Sequence, residues 1–170
     1  MNIHVDGACS NNGKEKSVGG WAFVIRFDDN KKEIHSADFA EITTNQRMEL
    51  TAMIKALEEV KIRWPDLNVL VSVFSDSQYV VKGSNEWMLN WAKNGWRKSG
   101  NYGISSEIAN LDLWKKVFEL VTEIKPTVKW VKGHSGDKYN ELCDTLATTA
   151  VSKKSDFYRV IRNAVKPEGN

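Results

Sequence analysis

Four acidic residues stand where a carboxylate has a use beyond solubility: Asp6, Glu49, Asp76 and Asp144. Asp6 lies in the largely apolar first segment, Ile3 to Cys9. Glu49 falls on the same helical face as Ala52, Met53 and Ala56. Asp76 ends the apolar run Val69-Leu70-Val71-Ser72-Val73-Phe74, and Asp144 sits one turn before Ala147. A buried, unpaired carboxylate is expensive. Four at one place would repel and would need a cation. Magnesium suits an all-oxygen site and usually keeps waters and a phosphate as further ligands. Two such ions clamp the attacking and leaving oxygens of a phosphodiester. Each residue also has an ordinary reading. Asp76 can cap a helix, and Glu49 can sit at a rim, favoured by the positive helix N-terminus. Nothing in the spacing alone brings the four together.

The elements that must position them follow from periodicity. Residues 3–9 read as a first strand, with Ile3 and Val5 on one face and His4 and Asp6 on the other. Residues 19–27 make a second strand, closed by the turn Asp28-Asp29-Asn30, and residues 32–40 a third. Short polar connections make these an antiparallel meander. Thr43-Thr44-Asn45 starts a helix running to Ile62, striped by Met48, Ala52, Met53, Ala56, Leu57 and Val60. Residues 69–74 read as a central strand buried on both faces. Ser75-Asp76-Ser77 then opens a helix, so Asp76 stands at a strand-to-helix edge where ligands collect in open α/β sheets. The tryptophan-rich stretch 86–98 and the small-residue loop Ser99 to Gly103 come next. Asn110 is a plausible cap for a helix that stops at Pro126. Residues 127–132 alternate as a strand, and Gly133-His134-Ser135-Gly136-Asp137 is a flexible connection. A last helix covers about 139–151. Its buried set is Leu142, Cys143, Leu146, Ala147 and Ala150. The meander followed by βαβ units predicts one α/β domain with a mixed sheet and packed helices.

Length and composition narrow the class. The chain has 170 residues, 41% apolar and 27% charged, which suits one soluble globular domain. No segment approaches a membrane span, and the N-terminus lacks a signal-peptide pattern, so the cytoplasm is the default address. Cys9 and Cys143 form no CxxC, which suggests neither a disulfide framework nor a zinc cluster. Net charge is only +2, but residues 152–170 carry five basic against two acidic residues. A near-neutral body must hold any nucleic acid by local contacts. That basic extension reads either as a short amphipathic helix, with Phe157, Val160, Ile161, Ala164 and Val165 at helical spacing, or as a frayed tail.

Five strings in order resemble the successive motifs of type 1 ribonuclease H. They are Asp6-Gly7-Ala8-Cys9, Thr44-Asn45-Gln46-Arg47-Met48-Glu49-Leu50, Ser75-Asp76-Ser77-Gln78-Tyr79-Val80, Trp130 to Gly136, and Asn140-Glu141-Leu142-Cys143-Asp144. The resemblance covers about residues 1–151 and implies a ribonuclease H catalytic domain there, with 152–170 as an extension. It implies a five-stranded mixed sheet in which the Asp6, Asp76 and Trp130 strands run parallel. It implies that Asp6, Glu49, Asp76 and Asp144 bind two Mg2+ ions, with Mn2+ as a substitute. The expected reaction is endonucleolytic cleavage of the RNA strand of an RNA–DNA hybrid by a monomer, leaving 5′-phosphate and 3′-hydroxyl ends. His134 matches the family's mobile-loop histidine, tied to water delivery or product release; its glycine-flanked loop allows such motion.

The resemblance extends to substrate contacts. Asn12, Asn45 and Gln46 match positions around the cleaved strand's sugars, with Cys9 expected to help through its backbone, and an amide both donates to and accepts from a 2′-hydroxyl. Asn12 equally suits a turn, and Asn45 a helix cap. Lys82, Trp87, Trp91, Lys93, Trp96, Arg97 and Lys98 resemble a basic protrusion where cations meet phosphates and aromatic faces pack on sugars. Trp87 and Trp91, four apart, could instead share a core-facing helix side. Thr44, Trp87 and Asn110 match a pocket for a phosphate of the DNA strand. Ala92 and Asn94 thin the basic run. Two other readings compete: a catalytically silent nucleic-acid-binding module on the same fold, which typically lacks one carboxylate, and another nuclease or transposase-like enzyme of the superfamily.

Overall fold

Alternate residues of the first segment part to opposite sides of a sheet. The computed structural model describes residues 1–27, 33–66, 68–98, 107–153 and 158–162. Strand β1 (Asn2–Ser10) pairs antiparallel with β2 (Val18–Arg26), and β2 with β3 (Glu33–Glu41). Helix α1 (Asn45–Arg63) then crosses to β4 (Ser72–Ser75), which runs parallel to β1. The chain continues through α2 (Gln78–Lys82), a π-helical turn (Gly83–Trp87) and α3 (Met88–Lys93). Helix α4 (Leu111–Ile124) leads to β5 (Thr127–Trp130), parallel to β4, and α5 (Lys138–Lys153) follows. The meander, the parallel β1, β4 and β5 strands and the mixed sheet order β5-β4-β1-β2-β3 of these five strands are as expected.

Ile3, Val5, Phe23 and Ile25 join Leu50, Met53, Leu57 and Trp114 in one large core on the α1 and α4 side. Ala22, Ala37, Ala147 and Ala150 make a thinner one under α5. Small side chains let α5 lie close. A Cβ on Gly20 would come 2.1 Å from the Ala147 carbonyl oxygen. That approach sets the height of α5 and of Asp144 above the sheet.

Two expectations are corrected. The run 69–74 is not a strand buried on both faces: Val69 is 49% and Leu70 91% exposed, and pairing begins only at Ser72. The β1 ladder reaches β4 only from Ser72 on, where Asn2 pairs with it. Ser72 N–H donates to the Met1 carbonyl (2.9 Å) and the Met1 amino group donates to Leu70 O (2.9 Å), and among the described residues no strand ladder extends to residues 69–70. The extension is not helical at 158–162: β6 (Tyr158–Arg162) pairs antiparallel with β3 and adds a sixth strand at that edge. The turn Asp28–Asn30, the loop 99–103 and the extension's Phe157, Ala164 and Val165 lie outside the described residues.

Candidate active site

Three carboxylates meet where β1, α1 and the end of β4 converge. Asp6, Glu49 and Asp76 each bring one oxygen to a common point, all within 4.8 Å of one another. Gly7 makes this approach: a Cβ there would stand 2.3 Å from the Glu49 backbone nitrogen and 2.6 Å from the Met48 carbonyl carbon. Only a residue without a side chain lets α1 lie this close to β1 and sets Glu49 beside Asp6. Asp76 follows the last residue of β4, one step past the register pair Ser75–Trp130. Gly133 likewise lets the β5–α5 loop approach, since a Cβ there would stand 2.7 Å from Asp76 Oδ2.

Asp6 and Glu49 are each 5% exposed. Burial, then the charge of Asp76 and more weakly that of Asp144, push the Asp6 carboxyl up to about 7, although the Gly7 N–H donates to its Oδ1 (2.7 Å). Burial, then Asp6 and Asp76, hold Glu49 well above the usual carboxylate range. Glu49 Oε1 accepts a long bond from Asn45 Nδ2 (3.4 Å), and its buried Oε2 has no partner among the described residues. Such an oxygen costs free energy unless a proton or a cation meets it. Hard oxygen donors that repel each other at close range fit a divalent cation of the magnesium or calcium type.

Asp144 is half-buried on α5 and lies outside the three-oxygen set, near enough for its charge to raise Asp6. His134 is exposed on the loop with φ 49°, apart from the cluster. The amide residues gather at the start of α1. Thr44 is its N-cap, accepting from the Arg47 N–H at 3.3 Å, and Asn12 Oδ1 accepts from the Asn45 N–H at 2.9 Å. Asn45 is therefore not the cap, and its side chain reaches Glu49 instead. Gln46 is exposed in the same turn, and the Cys9 thiol lies 3.6 Å from the Thr43 carbonyl.

Asn110 precedes α4 in the left-handed region (φ 58°) and does not cap it with its side chain. Its Nδ2 donates to the Tyr79 hydroxyl (3.1 Å), and its Oδ1 accepts from Arg47 (3.4 Å), which also grips Asp112 through two bonds (3.0 and 2.7 Å). Arg47 and Tyr79 thus tie Asn110 to the Thr44 end of α1 and to Trp87, whose ring lies 6.0 Å from Tyr79. Trp87, Trp91 and Trp96 are all half-buried: Trp91 packs edge-on against Trp114 (5.6 Å), Trp96 against Phe118 (5.5 Å). Lys82, Lys93, Arg97 and Lys98 are exposed around them. A cleft of about 250 Å³ lies between Tyr79, Trp87, Trp91, Lys98, Ile108 and Ala109.

One residue of the site escaped the sequence reading. Asn140 is 2% exposed, and its Nδ2 donates to Asp76 Oδ2 at 3.0 Å. Its signal was periodicity: Asn140 shares the spacing of Cys143, Ala147 and Ala150, the buried stripe of α5. An amide on such a stripe requires a polar partner.

The sheet and the acidic cluster define an α/β protein with a candidate divalent-cation site. Residues 1–152 match the RNase H family. A ribonuclease H of Treponema denticola is 40% identical over 163 residues, covering 90% of this chain and 98% of that protein. One from Syntrophomonas wolfei is 42% identical over 151 residues, covering 88% and 94%. Among solved structures, a type 1 RNase H with the type 2 active-site motif superposes with a TM-score of 0.77 at 26% identity, covering 94% of this chain and 76% of that one. An RNase H in complex with an RNA/DNA hybrid shares the fold at a TM-score of 0.65 and 20% identity, covering 90% and 97%. The chain belongs to the RNase H family and is an enzyme of that class. No helix among the described residues is long and apolar enough to cross a membrane.

Proposed function

We propose that this protein cuts the RNA strand of RNA–DNA hybrids endonucleolytically, leaving 5′-phosphate and 3′-hydroxyl ends. Residues 1–151 are the catalytic domain and 152–170 a basic extension. The observation that carries the reading is the meeting of buried Asp6 and Glu49 with half-buried Asp76, with Glu49 Oε2 left without a partner among the described residues. Family membership supplies the reaction class.

Asp6, Glu49, Asp76 and Asp144 hold the metal, Mg2+ in two ions with Mn2+ as a substitute. When bound, the ions supply an activated water and charge stabilisation for the leaving 3′ oxygen. The chain's own residues do the rest. Asn45 and Asn140 orient carboxylates through their amides. Asn12, Asn45 and Gln46, with Cys9, line the sugar side of the cleaved strand, where a 2′-hydroxyl distinguishes RNA from DNA. Thr44, Trp87 and Asn110, linked through Arg47 and Tyr79, receive a DNA-strand phosphate. Lys82, Trp91, Lys93, Trp96, Arg97 and Lys98 hold the duplex by charge and ring faces. His134, exposed on its loop, helps water delivery or product release.

The test is one labelled RNA sequence presented single-stranded, paired with RNA and paired with DNA, with magnesium or with chelator. Cutting only in the hybrid and only with metal supports the reading. Equal cutting of DNA duplexes overturns the hybrid assignment, and binding without cutting points to the silent module.

A further inference from the structure

We propose that Asp137 is a positioning residue for Asp76, acting through Asn140. The inference rests on the reading of Asp76 as a catalytic carboxylate.

Asp137 ends the β5–α5 loop, and its Oδ1 accepts the N–H groups of both Tyr139 and Asn140 at 3.0 Å. Its carbonyl accepts the Glu141 N–H at 3.0 Å. These bonds satisfy donors that a helix start otherwise leaves open, and they fix the first turn of α5. Asn140 sits in that turn and holds Asp76 Oδ2. Its own Oδ1 is buried with no partner among the described residues, so the Asp76 bond is the contact that orients this amide.

His4 packs against this turn from the strand side. His4 Nε2 lies 3.6 Å from the same Asp137 oxygen. The His4 ring is 5% exposed, stacked on Phe74 at 4.8 Å and tilted against Tyr139 at 5.5 Å. His4 and Phe74 are register partners across β1 and β4. Two residues on stand Asp6, in β1, and Asp76, one residue past the end of β4. Asp137 on His4 and Asn140 on Asp76 are therefore successive contacts of one α5 turn with one pair of strands. Such a shared frame holds a carboxylate in one rotamer, and misplacement by about 1 Å in a catalytic group costs on the order of 100-fold in rate.

The test is a double-mutant cycle on the full chain with Asp137→Ala and Asn140→Ala. Its readouts are kcat and KM on a hybrid, and Mg2+ affinity by calorimetry without substrate. Each single variant is expected to lower kcat about tenfold or more, with KM changed less than about twofold, and to weaken Mg2+ binding. The double variant is expected to be no worse than Asn140→Ala, because Asp137 acts through it. Asp137→Asn keeps an acceptor at the cap and is expected to restore most of kcat. Independent, additive losses would overturn the inference, as would an Asp137→Ala protein that melts earlier yet binds Mg2+ and turns over like the parent. Should Asp137→Ala fail to fold, Asp137→Ser, which keeps a cap, takes its place in the cycle under the same criteria. If the parent itself cuts no hybrid, the functional reading fails. If the parent cuts and Asp76→Asn does not, an unaffected Asp137 variant sinks this inference alone.

Discussion

Gly7 lies directly beneath the Glu49 backbone: a Cβ on the glycine would come 2.3 Å from the Glu49 nitrogen. This contact between a strand and a helix sets one carboxylate beside another, so the site depends on a residue with no functional group. Gly7→Ala is expected to push α1 from β1 and to cost about 1–3 kcal/mol of stability, the usual range for overpacking. Activity should fall further than that loss explains, because Glu49 moves with the helix. Urea denaturation beside hybrid cleavage at a temperature where both proteins are folded checks this.

The metal-free protein carries a pH signature. The folded Asp6 carboxyl titrates near 7, against an ordinary 3.8, so between those values the folded chain holds a proton the unfolded chain has released. Stability from this group is therefore present at acid pH and falls as pH rises towards 7. His4 works the other way: burial lowers it to about 4, so its contribution grows as pH rises from 4 through 6.5. Denaturation midpoints in chelator across pH 4–8, for the parent and Asp6→Asn, isolate the first effect. The variant should gain relative to the parent as pH rises, and added Mg2+ should close the gap at neutral pH.

Tyr79 should matter through its hydroxyl as well as its ring. That oxygen accepts from Trp114 Nε1 (2.8 Å) and Asn110 Nδ2 (3.1 Å) and donates to the Ala109 carbonyl (3.3 Å). Tyr79→Phe leaves the buried indole N–H without its acceptor, a loss of about 1–3 kcal/mol. It also loosens Asn110, so KM for the hybrid should rise more than kcat falls. Steady-state kinetics and thermal unfolding test both parts.

The β6 strand covers the open edge of β3. Truncation after Lys153 should bare that edge and favour pairing between copies. Sedimentation of the truncated and full chains at matched concentration would reveal it as a concentration-dependent increase in mass.

Much of this was legible in the residues. Alternation placed Ile3 and Val5 against His4 and Asp6, and helical spacing put Glu49 on a buried face. Convergence was not legible, because it depends on how close α1 comes to β1, a distance set by Gly7 and not by any pattern of polarity. The run at 69–74 misled because apolar side chains signal burial only where a neighbouring element covers them, and among the described residues no strand pairs with Val69 or Leu70. Asn110 does stand at the N-cap of α4, as its position suggested, but tertiary partners Tyr79 and Arg47 claim its side chain. The extension's apolar spacing fitted a helix, whereas the free edge of β3 offered a backbone ladder that local spacing does not encode. Asn140 was visible within a motif, yet its task appears only once α5 is set on β4.

The most direct measurement is the rate of hybrid cleavage as a function of Mg2+ concentration for the parent and for Glu49→Gln. The account predicts saturable activation in the parent, none in chelator, and for Glu49→Gln a large loss of rate with a shifted Mg2+ requirement. Undiminished cleavage by Glu49→Gln, or cleavage that persists in chelator, would contradict it.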